Sequence, residues 1–437
     1  MRARHDRRAR DAIPTHGRDQ RMRTTTSLIA LLGAVALFGC SSSDSGPQPS
    51  EDELLAPPAE GTGVQYRMVS TLDPGQEIER CQLFVAPPEG LNVNRELVRY
   101  SGGSHHVLLY ATPYTSIPTE TRRGVALDAT QVHDCNDGPQ ADWDVTGVVA
   151  GSQSPDGDSF LEGLPEGVAL KVAPGTVLLM NTHYVNASPE AIETDARINL
   201  YTIADDEVKV EAGMLFHYNP FINVPARGKS TARMRCVTEN DISVVRIQSH
   251  MHRRGVGYVA HKVGLDGTMK ELYAHDRWEG VPSQEFTPFL EVKAGESLDY
   301  RCEYNNVEDR TIAQGLTSRD EMCMLIGPYF PRSPAYENCN TEEGLVAATW
   351  FGDGTATCAE TFECISNGNG EAEVFGCVVN SCEGVGPQLS AALACQMTGG
   401  NGACIEACSG EDAEACNTCV GEACAAEMEA CQTATCD

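Results

Sequence analysis

The distribution of cysteine constrains this chain more than any other feature. Of nineteen cysteines in 437 residues, twelve fall from position 358 onward, with Gly, Ala and Glu between them. From residue 333 to 437 there is no lysine or arginine. Such a density fits disulfides formed in an oxidising compartment rather than a cytosolic enzyme. The change of composition marks a boundary, and residues 346–437 read as a separate acidic unit. The segments "LSAALACQM" and "EACAAEMEACQ" read as helical. The unit has too few large apolar residues for a core of its own, so six disulfides are expected to staple it. Cys416-x2-Cys419 has a zinc-like spacing, but this tail holds no histidine and export argues against a metal there.

Residues 22–40, "MRTTTSLIALLGAVALFGC", account for the compartment. Arg23 supplies a positive start, and residues 28–38 form an apolar run too short to span a bilayer. The segment resembles a bacterial lipoprotein signal. It implies removal of residues 1–39, with Met22 as an alternative start, and a lipid on the Cys40 sulfur. It also implies attachment to the cell envelope through that lipid. Ser41 after the cysteine points to the outer membrane if the cell is Gram-negative. Without residues 1–39 the chain keeps 24 basic and 59 acidic side chains, a formal charge of −35. That excess argues against a nucleic-acid partner and leaves membrane attachment to the lipid, not to charge. Residues 40–63, rich in Ser, Pro, Gly and acids, read as a flexible tether.

Between 64 and 340 the pattern is short. Runs such as "HHVLLYA", "TVLLMNTHYVN", "ARINLYTI" and "ISVVRIQSHMH" are rich in β-formers and are punctuated by Pro, Gly, Asn and Asp. The spacing predicts antiparallel β-sandwiches, two of them over this length.

Five histidines fall in three compact motifs within these runs: His105 and His106 in "SHHVLLY", His183 in "MNTHYVN", and His250 and His252 in "QSHMHRRG". On a strand, residues i and i+2 share a face, so His250 and His252 can close on one ion. His105 and His106 are adjacent, and a regular strand would aim them at opposite faces. Met322, in "TSRDEMCMLIGPYF", is a candidate third ligand to the His-x-His pair, because a thioether favours Cu(I) over zinc or iron.

The order His-His, His-Tyr, His-x-His and Glu-Met-Cys resembles the copper type II, ascorbate-dependent monooxygenases. The resemblance spans roughly 64–345. It implies two jelly-roll-like domains, 64–205 and 206–345, each with one copper. His105, His106 and His183 match the three ligands of the first copper. His250, His252 and Met322 match the second, where oxygen binds. An irregular strand, or use of different ring nitrogens, would then let the adjacent imidazoles reach one ion. Asn181, two residues before His183, is expected to fix that ring's tautomer, and Tyr184 to pack on the other face. The resemblance also implies the disulfides Cys236–Cys339 and Cys302–Cys323, which leaves Cys81 and Cys135 to pair in the first domain. The reaction implied is hydroxylation of an aliphatic C–H of a small molecule, with O2 and a one-electron donor such as ascorbate as co-substrates.

The sequence departs from the peptide-amidating branch. Where that branch holds a substrate carboxylate with Arg, Asn and Tyr, this chain has Gln248, Met324 and Ile326. Arg246 shares a strand face with Gln248 and is a weak substitute. A less polar substrate is expected, and the catecholamine branch is not supported either. His133, His217, His261 and His275 are assigned no metal, with His217 expected to be buried and hydrogen-bonded. Two other readings use the same residues. One is a non-catalytic copper-binding surface lipoprotein. The other is a zinc hydrolase on His250 and His252, which leaves Met322 unexplained and lacks an evident glutamate base.

Overall fold

The structure, a computed structural model of the chain, describes residues 54–154, 159–410 and 412–436. The signal segment, Cys40 and most of the tether lie outside the described residues. The chain is mainly β; apart from the short helix Pro139–Asp142 and two single turns, the helices gather after residue 357.

Alternation writes the outer strands directly. In Gly63–Leu72, Tyr66, Met68, Ser70 and Leu72 are buried while Arg67, Val69 and Thr71 face solvent. Lys229–Val237 repeats this with Ser230, Ala232, Met234 and Cys236 inside. Val177–Val185 differs: eight consecutive residues are buried. It lies between Glu77–Val85 and Ser104–Ala111 and is covered on both faces, which removes the alternation.

One eight-stranded sheet runs through both halves of the described chain. Its order is Gly63–Leu72, Ile192–Thr202, Leu91–Tyr100, Val168–Val172, Val210–Tyr218, Met324–Phe330, Ile242–His250 and Gln284–Val292. The halves join where Val168–Val172 pairs in parallel with Val210–Tyr218. A five-stranded sheet covers each half. The first contains Glu77–Val85, Val177–Val185 and Ser104–Ala111, and the second contains Lys229–Val237, Gly255–Val263 and Ser297–Asn305. Two cores result, one around Val107, Leu109 and Leu178, the other around Ile247, Leu298 and Tyr300. Met324–Phe330 serves both: Met324 and Ile326 belong to the first core, Leu325 and Tyr329 to the second.

The tail is helical and holds six disulfides: Cys358–Cys431, Cys364–Cys377, Cys382–Cys436, Cys395–Cys424, Cys404–Cys419 and Cys408–Cys416. Cys416 and Cys419 therefore serve different bridges and not one metal. The tail also borrows a core. Ala348–Phe351 adds a strand beside Lys229–Val237, and Val378, Val385, Leu389 and Leu393 pack into the second core.

Candidate metal centre

The adjacent histidines are reconciled by a bulge. Ser104–Ala111 pairs with Val177–Val185, but the register shifts between Ser104 and His106, so His105 has no opposite number. An extra residue re-aims its neighbours. The Nδ1 atoms of His105 and His106 lie 3.3 Å apart. His183 sits opposite His106 on the neighbouring strand, and one nitrogen from each of the three rings falls within 4.8 Å of the others.

His250 ends the strand Ile242–His250, and His252 lies beyond it. The pleat is therefore not what brings these two rings together, contrary to the i, i+2 expectation. Glu321 does it. Its buried carboxylate accepts from the backbone N–H of His252 at 3.0 Å and of Arg254 at 2.8 Å, folding the chain after the strand back on itself. The His250 and His252 ring centroids are 5.2 Å apart. Burial pushes the Glu321 carboxyl up to about 7, against those amides and the Arg254 guanidinium. Met322 follows directly. Its carbonyl accepts from Tyr304 Oη, and Cys323 beside it is bridged to Cys302. Met322 borders the same cavity as His106 and His250.

The two histidine groups adjoin. His106 and His250 have ring centroids 5.8 Å apart, and His105 lies 6.3 Å from both His250 and His252. They also orient one another across the seam. His250 Nδ1 donates to Gln153 Oε1 of the first half at 2.8 Å, and the Gln153 amide donates to the Ser249 carbonyl at 2.6 Å. His183 Nε2 donates to Glu77 Oε1 at 3.1 Å, and Glu77 accepts the Ser318 N–H from the second half. The His183 hydrogen bond, ahead of the opposing cost of burial, holds the Glu77 carboxyl down at about 2. Trp278 of the second half stacks on His105 at 5.8 Å.

Asn181 does not take the expected part. Its amide donates to Glu79 Oε2 at 2.9 Å, and Glu77 holds the His183 ring. Asn181 and Glu77 both lie about 7 Å from His183 along or across the sheet, but Glu77, diagonal on the next strand, has the longer side chain and reaches the ring, while the short Asn181 amide is taken by Glu79. Tyr184 packs with Leu72 and Ile78 on the opposite face. Cys81–Cys135, Cys236–Cys339 and Cys302–Cys323 are bridged. His217 is buried and donates from Nε2 to the Tyr336 carbonyl at 2.8 Å.

The ring nitrogens fit a metal. His252 Nδ1 donates to the Asp320 carbonyl, which leaves Nε2 as a lone pair, and the bond from Nε2 to Glu77 leaves His183 Nδ1 as the nitrogen without a partner. Both of these atoms are buried without a partner among the described residues. Burial, with the neighbouring rings, depresses His105 to about 4 and His250 to about 3, and places His106 and His252 well below the ordinary value. Neutral imidazoles with inward lone pairs are what a divalent or monovalent soft cation requires, and no proton need leave. Glu77, Gln153 and Trp278 gave no motif signal. Glu321 stood in view as the first residue of Glu-Met-Cys.

Residues 213–345 match the family model described as "Copper type II ascorbate-dependent monooxygenase, C-terminal domain". The match supports a monooxygenase family that depends on copper and ascorbate, and it contains His250, His252 and Met322. Among solved structures, the chain has 11% identity to that of infectious bursal disease virus Gx strain, covering 63% of this chain and 73% of that one, with a TM-score of 0.15. For the Gt strain of the same virus the identity is 11%, the coverage 64% and 78%, and the TM-score 0.16. Likeness at that level carries nothing about the fold or the site.

Proposed function

We propose that the protein is a copper monooxygenase that hydroxylates an aliphatic C–H of a small molecule, using O2 and a one-electron donor such as ascorbate. The observation that carries this reading is the convergence of five imidazoles beside one cavity, with His106, His250 and Met322 on its wall, in a chain whose residues 213–345 match a copper monooxygenase domain. His105, His106 and His183 would hold one copper, and His250, His252 and Met322 a second. Copper at these residues supplies one-electron redox chemistry and the activation of dioxygen. The chain's own part is positional. Glu77, Gln153 and Asp320 fix which ring nitrogens face inward, Glu321 and the Cys302–Cys323 bridge set the loop that presents Met322, and the cavity holds a C–H bond beside them. The sandwich halves are read as 64–205 and 206–345, with the Cys-rich tail after them. The chain is read as exported and held to the envelope by lipid on Cys40; no helix among the described residues is long and apolar enough to cross a membrane.

Metal analysis with oxygen uptake under ascorbate tests this. Two coppers per chain and reductant-dependent uptake are expected. Copper without uptake would leave a non-catalytic copper-binding lipoprotein, and zinc would sink the redox reading. Met322→His should retain copper yet lose most turnover, because sulfur favours Cu(I) and a third imidazole does not. Wild-type turnover in that variant would make Met322 a packing residue.

A further inference from the structure

The cavity beside the centre measures about 250 Å³. That is below the range typical of drug-sized ligands, so the occupant is small. The two halves build it jointly. Leu108 and Phe160 come from the first, and Phe216, Leu316 and Ile326 from the second. Gly138 and Leu316 seal its edge. Gly138 takes φ +88°, and a Cβ there would lie 1.9 Å from Leu316 Cδ1, so only glycine lets the loop carrying Leu316 close.

Charge decides what this space admits. No lysine or arginine lines it among the described residues. The cations near the His-x-His motif in sequence are engaged by other groups: Arg246 donates to the Ser159 carbonyl at 2.9 Å, bonds Ser283 and pairs with Glu162 at 3.3 Å, and Arg253 and Arg254 both pair with Glu308. A neighbouring cavity of about 240 Å³, which shares the Tyr110 and Phe216 walls, is bordered by Glu337 and adds no lysine or arginine. Apart from His106 and His250, the polar groups that line the space are amides and a phenol (Gln140, Gln153, Asn181, Gln314, Asn338, Tyr218) and one carboxyl, Glu79, whose Oε2 already accepts from Asn181. With no metal bound, a carboxylate brought here would lose its hydration and gain no opposite charge from the protein.

We propose that this cavity binds an uncharged, mainly apolar molecule of about one ring with a short arm, held by shape and neutral hydrogen bonds, and that it excludes carboxylates. The inference rests on the monooxygenase reading only for what happens after binding. The binding itself needs no metal.

Calorimetric titration with three probes of one skeleton tests it, on metal-free and copper-loaded protein: 2-phenylethanol, phenylacetate and phenethylammonium. In the metal-free protein the alcohol should bind at least about 100-fold tighter than phenylacetate, and copper, by adding positive charge to the wall, should narrow that ratio. Leu316→Trp, a loop substitution that fills the space, should abolish alcohol binding without lowering the melting temperature by more than a few degrees. If Leu316→Trp does not fold, the wild-type ranking still decides. Phenylacetate binding as tightly as the alcohol to the metal-free protein overturns the proposal. So does a tenfold preference for phenethylammonium, which would make Glu79 the anchor of a cation site. No binding of any probe also overturns it. Probe binding in a protein that takes up no oxygen would uphold this inference while the monooxygenase reading failed.

Discussion

Replacing Glu321 tests how the centre is assembled. The side chain is fully buried, and each carboxylate oxygen accepts one backbone N–H, from His252 and from Arg254. Leaving a buried N–H without an acceptor costs about 1–3 kcal/mol. Glu321→Gln keeps one oxygen and turns an amide NH2 toward the other donor, so one N–H is orphaned and a loss of about 1–3 kcal/mol is expected. Glu321→Ala orphans both, for about 2–6 kcal/mol, a large share of the 5–15 kcal/mol typical of a folded domain. The glutamine variant is therefore the informative one. Urea unfolding with the disulfides intact reads the stability. Competition with a copper chelator reads the metal. Because Glu321 fixes the backbone that carries His252, copper at His250 and His252 should weaken about 10–100-fold. A stability loss under about 0.5 kcal/mol, with copper retention unchanged, would refute the assignment of both amides to this carboxylate.

Burial depresses His217 from 6.5 to about 4, so the folded protein binds fewer protons than the unfolded chain between those values. The corresponding stability is fully present above about pH 6.5 and is lost as pH falls toward 4, by about 3 kcal/mol in all. His217→Phe should flatten the stability profile in that window by one proton's slope, and an unchanged slope counts against the buried neutral ring. Trp278, one of three tryptophans, stacks on His105. Its fluorescence should be quenched as Cu(II) fills the three-histidine set, and Trp278→Phe should remove most of that quenching. Equal quenching in the variant would mean that the stack does not form in solution.

What could be read from the sequence was what local chemistry writes locally. Alternation in "VQYRMVSTL" marks a strand, and the composition shift after Arg332 marks the helical, bridged tail. The histidine motifs named the rings that the fold gathers. Pairing between distant segments was not legible. The bulge at His105 depends on register against Val177–Val185, and Glu77 reaches His183 as a diagonal neighbour across strands more than a hundred residues apart in sequence. Strand periodicity placed His250 and His252 on one pleat, yet the strand stops at His250 and a carboxylate from residue 321 turns the next two residues inward. The parallel join that carries one sheet through both halves has no signature in either strand alone. Tail boundaries read from charge and cysteine also hid the contribution of Val378 and Leu389 to the second core.

The missing lysines and arginines of the tail bear on how it would resist proteolysis. A protease of trypsin's specificity needs a basic residue, and Arg332 is the last one it could use. Arg332 is itself engaged by Glu211 at 2.8 Å and by Glu337 at 2.6 Å. Were it cut, residues 333–437 would leave as one piece only if the Cys236–Cys339 bridge were also reduced. Without a reductant, the cleaved tail stays tied to the strand Lys229–Val237, and its helices stay packed on the core they complete. A nick at the boundary would thus be silent on a non-reducing gel and visible only after thiol treatment.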